Sequence, residues 1–223
     1  MDKIRIIEVK KSVYANNDLE ANENREMLKK QNTYMMNLMS SPGSGKTTML
    51  VSTIERLKEK IKIGIVEADI DSDVDAYSIS KTGVPVNQLH NGGMCHLDAG
   101  MIKEGLKDIN SKDLDFVVVE NIGNLICPAG YDLGQNLNCM ILSVPEGHDK
   151  PLKYPKMFTK VDCLIISKVD TVSVFDFDFE ALEISVRKLN PNIKIFPLSA
   201  KTGEGMGKWC EYLLNKIESG TLK

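Results

Sequence analysis

The chain has 223 residues, a formal net charge of −3 and five cysteines. This length predicts one domain with an added arm, and the slightly acidic balance argues against a nucleic-acid partner. No apolar stretch approaches the roughly 20 residues of a membrane helix, and the first residues do not resemble a signal peptide. An odd number of cysteines at scattered spacings is typical of reduced thiols. We therefore expect a cytoplasmic protein that does not contact a membrane.

Residues 1–33 are polar and charged, with Leu19, Met27 and Leu28 as sparse apolar anchors. Asn17 and Asp18 offer an N-cap for a helix from Leu19 to Leu28. We expect a helical arm over 1–33, ahead of a single domain over 34–223. The simpler interpretation is a solvated arm that packs on the domain, and the alternative is an arm that binds a partner.

From Tyr34 onward, strand-like and helix-like runs alternate along the chain. Apolar runs of this kind between helices predict an α/β fold with a mainly parallel central sheet and helices on both faces. In such sheets the functional site lies at the carboxyl ends of the strands. The predicted strands are 34–39, 61–66, 84–89, 116–119, 140–144, 164–167 and 193–196, and the predicted helices are 48–57, 73–81, 96–109, 181–189 and 209–217.

A glycine-rich segment, Ser40–Thr47 (SSPGSGKT), lies between a predicted strand and a predicted helix. This context is typical of the phosphate-binding loop of P-loop NTPases, although a serine replaces the first glycine of the motif. Glycines let backbone amides approach a triphosphate, the lysine neutralises the β- and γ-phosphates, and the threonine hydroxyl holds Mg²⁺. The alternative is an ordinary surface turn rich in serine and glycine. The predicted nucleotide contacts are Gly43, Ser44, Gly45, Lys46, Thr47 and Thr48.

Acidic residues at two predicted strand ends suggest a magnesium site. Glu120 follows one strand and has Gly123 three residues on, an arrangement that can hold the Mg²⁺ shell and sense the γ-phosphate, although GTPases usually place aspartate there. An acidic loop after another strand offers Asp69 and Asp75 as further Mg²⁺ ligands beside Thr47. This loop lacks the glycine and glutamate of a calcium loop. The plainer interpretation is a helix N-terminus with favourable acidic residues.

Two further motifs predict guanine recognition. The segment Ser167-Lys168-Val169-Asp170 follows a predicted strand and differs by one residue from Asn/Thr-Lys-x-Asp. The carboxylate of Asp170 would accept hydrogen bonds from N1 and the 2-amino group of guanine, which adenine lacks, while Lys168 lies along the base. Ser199-Ala200-Lys201 follows the next strand and matches a second base-contacting loop. Each segment alone is also compatible with an ordinary charged turn.

Cysteine and histidine suggest a soft-metal site. Cys95-His96 opens a predicted helix, and Cys127 follows the strand that ends at Glu120. Thiolate and imidazole ligands suit Ni²⁺ or Zn²⁺. Three ligands leave the site incomplete, and a two-fold dimer could complete it. On chemistry alone, cysteines that merely fill the core are an equal alternative.

Taken together, these motifs resemble the HypB family of nickel-incorporation GTPases that act in the maturation of nickel-iron hydrogenase. The resemblance covers most of the chain, and the serine in the phosphate loop and the glutamate at position 120 fit the family's own pattern. The segments that carry it are Ser40–Thr48, Cys95–Ala99, Glu120–Pro128, Ser143–Gly147 and Ser167–Asp170.

The resemblance implies a P-loop GTPase that dimerises with GTP and helps to insert nickel into the hydrogenase large subunit. It maps the family's metal site onto Cys95, His96 and Cys127, and it implies a small HypA-type nickel accessory protein as partner. Some members carry an N-terminal cysteine motif or a histidine-rich tract for storing nickel. Here the first cysteine is Cys95, so only the site in the GTPase domain is expected.

For the reaction, Lys46, Thr47 and Glu120 are the predicted catalytic residues. Asn124 follows Gly123 where Ras-like GTPases have the glutamine that positions water, so slow intrinsic turnover is expected. Three alternatives stay open: a related GTPase such as a urease accessory protein, a non-enzymatic nucleotide-gated metal-binding module, and a small-molecule kinase. The last does not explain the guanine motif.

Overall fold

The computed structural model describes residues 9–69, 74–90 and 92–221. Its helices are α1 (Val9–Gln31), α2 (Lys46–Leu57), α3 (Val74–Ser80), α4 (Ala99–Asp108), α5 (Lys150–Lys153), α6 (Pro155–Phe158), α7 (Phe179–Leu189) and α8 (Met206–Thr221). Its strands are β1 (Tyr34–Ser40), β2 (Ile63–Asp69), β3 (Val86–His90), β4 (Phe116–Glu120), β5 (Leu137–Ser143), β6 (Cys163–Ser167) and β7 (Lys194–Pro197).

The seven strands form one sheet in the order β3-β2-β4-β1-β5-β6-β7, and every neighbouring pair is parallel. The predicted parallel α/β sheet is confirmed. The strand that leads into the glycine-rich loop lies at the centre, between β4 and β5. Since all seven strands run the same way, their carboxyl ends meet at one edge. None of the helices in the described part of the chain is long and apolar enough to cross a membrane.

Helices cover both faces of the sheet because successive strand residues point to opposite sides. In β1, Met36 joins a core with α2 and α8, whereas Met35 joins a core with α1 and α4 on the opposite face. A third core lies under α6 and α7, beside β5 and β6. The α8 indole of Trp209 is fully buried and donates to the α2 hydroxyl of Thr53 at 3.1 Å.

The N-terminal helix is longer than predicted. It runs from Val9, so Asn17 and Asp18 lie inside it and do not cap it. The predicted apolar anchors are also only partly right, because Leu19 is 65% exposed whereas Leu28 is 1% exposed. The other predicted bounds differ from the observed ones by up to four residues. Asp73, where we placed the start of α3, lies outside the described residues.

Candidate nucleotide and metal site

The glycine-rich loop connects β1 to α2 in a conformation that requires its glycines. Gly43 and Gly45 have φ angles of 73° and 92°, in the left-handed region that only glycine adopts readily. A Cβ on Gly43 would meet no atom within 4 Å, so backbone conformation rather than crowding selects glycine there. Gly45 is the N-cap of α2 and gives no side-chain cap, which leaves the first amides of the helix to a ligand.

The serines that depart from the general motifs have structural roles. Ser40 ends β1, is fully buried and donates to the carbonyl of Ser41 at 2.7 Å. Ser167, at the end of β6, donates to the carbonyl of Ser44 at 2.7 Å. Ser167 therefore fastens the guanine motif to the phosphate loop.

Lys168 lies along the same loop. Its Nζ donates to the carbonyl of Gly43 at 2.7 Å, and its Cε would be 3.6 Å from a Cβ on Gly45. The residue itself has a φ of 59°, which turns the chain sharply after β6. The side chain is thus laid across the glycine-rich loop, where a base would stack on it.

A cavity of about 260 Å³ opens beside these residues. It gathers the loops after β1, β6 and β7, which the sequence suggested as the phosphate and guanine motifs. The predicted contacts that line it are Ser44, Gly45, Thr48, Lys168, Asp170, Ser199, Ala200 and Lys201.

Carboxylates lie next to the phosphate loop on its other side. The hydroxyl of Thr47 donates to Oε1 of Glu120 at 3.0 Å. Glu120 is paired in register with Glu67 of β2, and each is only 1% exposed. Buried carboxylates beside a hydroxyl are a donor set that suits a divalent cation. Glu67 was missed as a site residue, although a charged residue in an apolar strand was a usable signal.

The other two predicted magnesium ligands belong to β2 and α3. Asp69 is the last residue of β2, and its side chain lies outside the description. Asp75 lies in the first turn of α3, as the plainer helix-terminus interpretation expects. Their role in a magnesium site stays a prediction.

Two predicted metal ligands come together at the same edge of the sheet. The Sγ atoms of Cys95 and Cys127 are 2.9 Å apart, and Nδ1 of His96 is 3.8 Å from the Cys95 sulfur. The expectation that Cys95-His96 opens a helix is wrong. Helix α4 begins at Ala99, because the side chain of Asp98 caps it by accepting from the Met101 amide at 2.8 Å. Cys95 and His96 therefore lie in the preceding loop.

Neighbouring groups and burial shift the pKa values of Cys127 and His96, and a ring stack holds the imidazole. The hydrogen bond with Cys95, together with burial, raises the pKa of the Cys127 thiol. Burial lowers the pKa of His96, which favours the neutral imidazole that binds metals. The His96 ring stacks on Tyr131, with 3.8 Å between the ring centroids. Within residues 9–69, 74–90 and 92–221, no three His, Cys, Asp or Glu side chains form a ready metal site.

Asn124 joins the two thiol-bearing loops, a role that the sequence analysis missed. Its Nδ2 donates to the carbonyl of Cys95 at 3.3 Å, and its Oδ1 accepts from the amides of Ile126 at 2.8 Å and Cys127 at 3.4 Å. The preceding Gly123 lies against Pro42 of the phosphate loop. A Cβ on Gly123 would be 3.0 Å from Cγ of Pro42. An asparagine ahead of a turn is the signal for such side-chain-to-backbone bonds.

The parallel sheet, the glycine-rich loop at the end of its central strand and the base-sized cavity beside it define a P-loop nucleotide-binding protein. The family model "CobW/HypB/UreG, nucleotide-binding domain" matches residues 34–197. With this match and the relatives described next, the chain belongs to the HypB group of the CobW/HypB/UreG family.

Curated relatives and solved structures agree with that assignment. The chain is 42% identical to the hydrogenase maturation factor HypB of Azotobacter chroococcum, over 96% of this chain and 70% of that protein. It matches the crystal structure of HypB from Helicobacter pylori in complex with nickel, with a TM-score of 0.86, 41% identity and 92% and 97% of the two chains covered. HypB from Archaeoglobus fulgidus also has a TM-score of 0.86, at 36% identity, over 91% and 99% of the chains.

Proposed function

We propose that this chain is a metal-binding GTPase that couples GTP binding and hydrolysis to the insertion of nickel into nickel-iron hydrogenase. Family membership supports the overall role. The observation that carries the coupling is the side chain of Asn124, which contacts both thiol-bearing loops one residue after the glycine packed on the phosphate loop. A change at the γ-phosphate thus has a path of a few bonds to the metal ligands.

The nucleotide half of the proposal assigns GTP to the cavity beside Lys168. The carboxylate of Asp170 would accept hydrogen bonds from the guanine edge. The amides at the start of α2 would bind the β- and γ-phosphates, and Lys46 would neutralise their charge. Thr47 and Glu120 would hold Mg²⁺, which neutralises phosphate charge when bound.

The reaction proposed is in-line attack of water on the γ-phosphorus, which breaks the bond to the β-phosphate oxygen and gives GDP and phosphate. Residue 124 is an asparagine whose amide is engaged by the metal-site loops, so it does not position the attacking water. Turnover should therefore be slow, in the range of unassisted GTPases at roughly 10⁻⁴ to 10⁻² s⁻¹.

The metal half assigns Ni²⁺ as cargo to Cys95, His96 and Cys127, and Zn²⁺ fits the same ligands. Support comes from the 2.9 Å contact between the two thiols and from the burial of His96, which lowers the pKa of its imidazole. Because these three ligands leave the site incomplete, we propose a GTP-dependent homodimer in which a second copy completes it. The exposed position of Cys95 is compatible with that arrangement.

The proposed partners are a HypA-type nickel accessory protein and the hydrogenase large subunit. The cytoplasmic location and the absence of a nucleic-acid or membrane partner stay predictions from composition. The match to hydrogenase maturation factors disfavours a separate urease accessory protein, although the Helicobacter pylori relative is named a hydrogenase/urease maturation factor.

The test is phosphate release from GTP, with Lys46→Ala as control and ATP as competitor. We expect slow GTP turnover that Lys46→Ala abolishes and a large excess of ATP leaves unchanged. Binding of GTP without turnover would instead favour the non-enzymatic nucleotide-gated module. ATP turnover with a phosphorylated small-molecule product would favour a kinase.

A further inference from the structure

Helix α1 carries two buried amide side chains on the face that it turns to the domain. Asn17 is 4% exposed and Asn24 is 0% exposed. They are seven residues apart, about two helical turns, so both lie on the same face of the helix. A buried amide without partners is costly, and these two side chains find their partners outside their own helix.

Each amide bonds to two different loops of the domain. The Oδ1 of Asn17 accepts from the amide of Ala99 at 2.9 Å, while its Nδ2 donates to the carbonyl of Asp132 at 2.8 Å. The Nδ2 of Asn24 donates to the carbonyl of Ala99 at 2.8 Å and to that of Leu133 at 3.2 Å. Both side chains therefore tie the start of α4 to the segment 132–133.

Further contacts seat the helix on that segment. Arg25 makes two bonds to the carboxylate of Asp132, at 2.7 and 2.9 Å, and Asp132 in turn accepts from the amide of Gly134 at 2.9 Å. A Cβ on Gly134 would come within 2.5 Å of the carbonyl oxygen of Ala21. The helix and this loop are in backbone contact, so a change in one displaces the other.

The tied segments are the ones that carry the thiols. Ala99 follows His96 by three residues, and Asp132 follows Cys127 by five. The stacking of His96 on Tyr131 joins the same two loops between these points. We propose that the N-terminal helix is a positioning element of the metal site, in which Asn17 and Asn24 set the spacing between the Cys95 and Cys127 loops. This inference rests on the proposed metal site.

A role in docking the helix alone can be distinguished from a role in positioning the thiol-bearing loops. The ion pair between Glu23 and Lys103, at 2.7 Å, also fastens α1 to α4 but touches neither thiol-bearing loop. Glu23→Ala is therefore the matched control for Asn17→Ala and Asn24→Ala. All three variants weaken the docking of the helix, but only the asparagine variants release the loops from each other.

The first readout is nickel affinity, followed by thiolate-to-nickel charge-transfer absorption in reduced full-length protein, with nucleotide affinity measured alongside. Residues that orient metal ligands from outside typically change affinity by about 10–100-fold, and we expect this loss for Asn17→Ala and Asn24→Ala. Nucleotide affinity should be unchanged, because neither amide contacts the phosphate loop. Glu23→Ala should match the unsubstituted protein in both measurements.

A second readout does not depend on nickel. Phenylarsine oxide binds two neighbouring thiols at once. The Cys95→Ser variant lacks the thiol pair, so its remaining reaction, which includes that of the buried cysteines, is subtracted as background. We expect the asparagine variants to bind it several-fold more slowly than the unsubstituted protein. If nickel does not bind but the arsenical result holds, the metal function fails and the positioning role stands.

The proposal is overturned if the asparagine variants equal Glu23→Ala in both readouts. Should one asparagine variant fail to fold, the other carries the same test, because each removes the bonds of one asparagine and leaves those of the other intact. Circular dichroism and the melting temperature check that each variant is folded.

Discussion

The nucleotide-binding loops after β1, β6 and β7 and the thiol-bearing loops after β3 and β4 lie at one edge of the sheet but are held in different ways. In the nucleotide half, the motifs hold one another, since Ser167 and Lys168 bond directly to carbonyls of the phosphate loop. In the thiol half, the two loops are held by residues outside their motifs, among them Asn17 and Asn24 of the N-terminal helix.

This difference indicates which substitutions should affect each of the two functions. A substitution in the nucleotide half alters chemistry and anchoring together, because the same residues do both. In the thiol half, the anchoring residues differ from the proposed ligands, so we expect that metal affinity can be changed without replacing a ligand. Asn124 is the exception, because it bonds to both thiol-bearing loops and directly follows Gly123, which lies against the phosphate loop. We therefore expect nucleotide state to reach the thiols through this residue.

The largest expected effect is a loss of GTP hydrolysis that leaves nickel binding unchanged. Replacing Glu120 with Gln removes the carboxylate that accepts from Thr47 and would hold Mg²⁺. We expect GTP hydrolysis to fall by about 10²–10³-fold, the typical cost of losing one electrostatic contact to the transition state. Nickel affinity of the nucleotide-free protein should not change. An equal loss of nickel affinity would show that the two halves are one site.

The matching change on the metal side is Cys127→Ser, which removes a thiolate and keeps the size of the side chain. We expect nickel affinity to fall by at least about 100-fold, more than the loss caused by residues that only orient ligands. GTP affinity should stay within experimental error of the unsubstituted value. Nickel binding that survives the substitution would place the cargo elsewhere on the chain.

A smaller effect tests the link between the halves. Asn124→Ala removes the bonds to Cys95, Ile126 and Cys127 and leaves all proposed ligands in place. The ratio of nickel affinities with GTP and GDP should shrink from the 5–150-fold range typical of coupled sites to about one. Asn215→Ala on the exposed face of α8 is the control and should leave this ratio unchanged. A preserved ratio in Asn124→Ala would rule out this residue as the link.

The smallest expected effect concerns anchoring in the nucleotide half. Ser167→Ala removes the bond to the carbonyl of Ser44 and should weaken nucleotide binding by about 1 kcal/mol, or roughly fivefold. Fluorescent GDP titration measures this change. Because the anchor lies within the nucleotide motifs, nickel affinity without nucleotide should be unaffected, in contrast to the asparagine variants of α1.

Most of the fold could be predicted from the sequence because apolar runs and helical spacing identify buried strands and their covering helices. The first half of α1 could not, since Asn17 was interpreted as a capping residue, whereas its amide bonds to distant loops from inside the helix. The start of α4 was misplaced for a related reason, because the capping role of Asp98 shortens the helix and leaves Cys95 in a loop.

The grouping of the motif loops could be predicted, because each follows a parallel strand and the carboxyl ends of these strands meet at one edge of the sheet. The structure gathers the loops after β1, β6 and β7 around one cavity, and the chemistry assigned to their residues stays a prediction. Sequence spacing could not show that the two thiols lie 2.9 Å apart, or that the described residues form no ready three-ligand metal site. An asparagine ahead of a turn indicates the local bonds of Asn124 to Ile126 and Cys127, but not its bond to the distant Cys95.

The most direct test of the account is a Ni²⁺ titration of the reduced protein with GTP and Mg²⁺ and, separately, with GDP, followed by thiolate-to-nickel charge-transfer absorption. The account predicts a band whose midpoint shifts between the two nucleotides and that disappears in Cys127→Ser. The same midpoint with GTP and GDP would contradict the coupling of nucleotide state to the thiol pair.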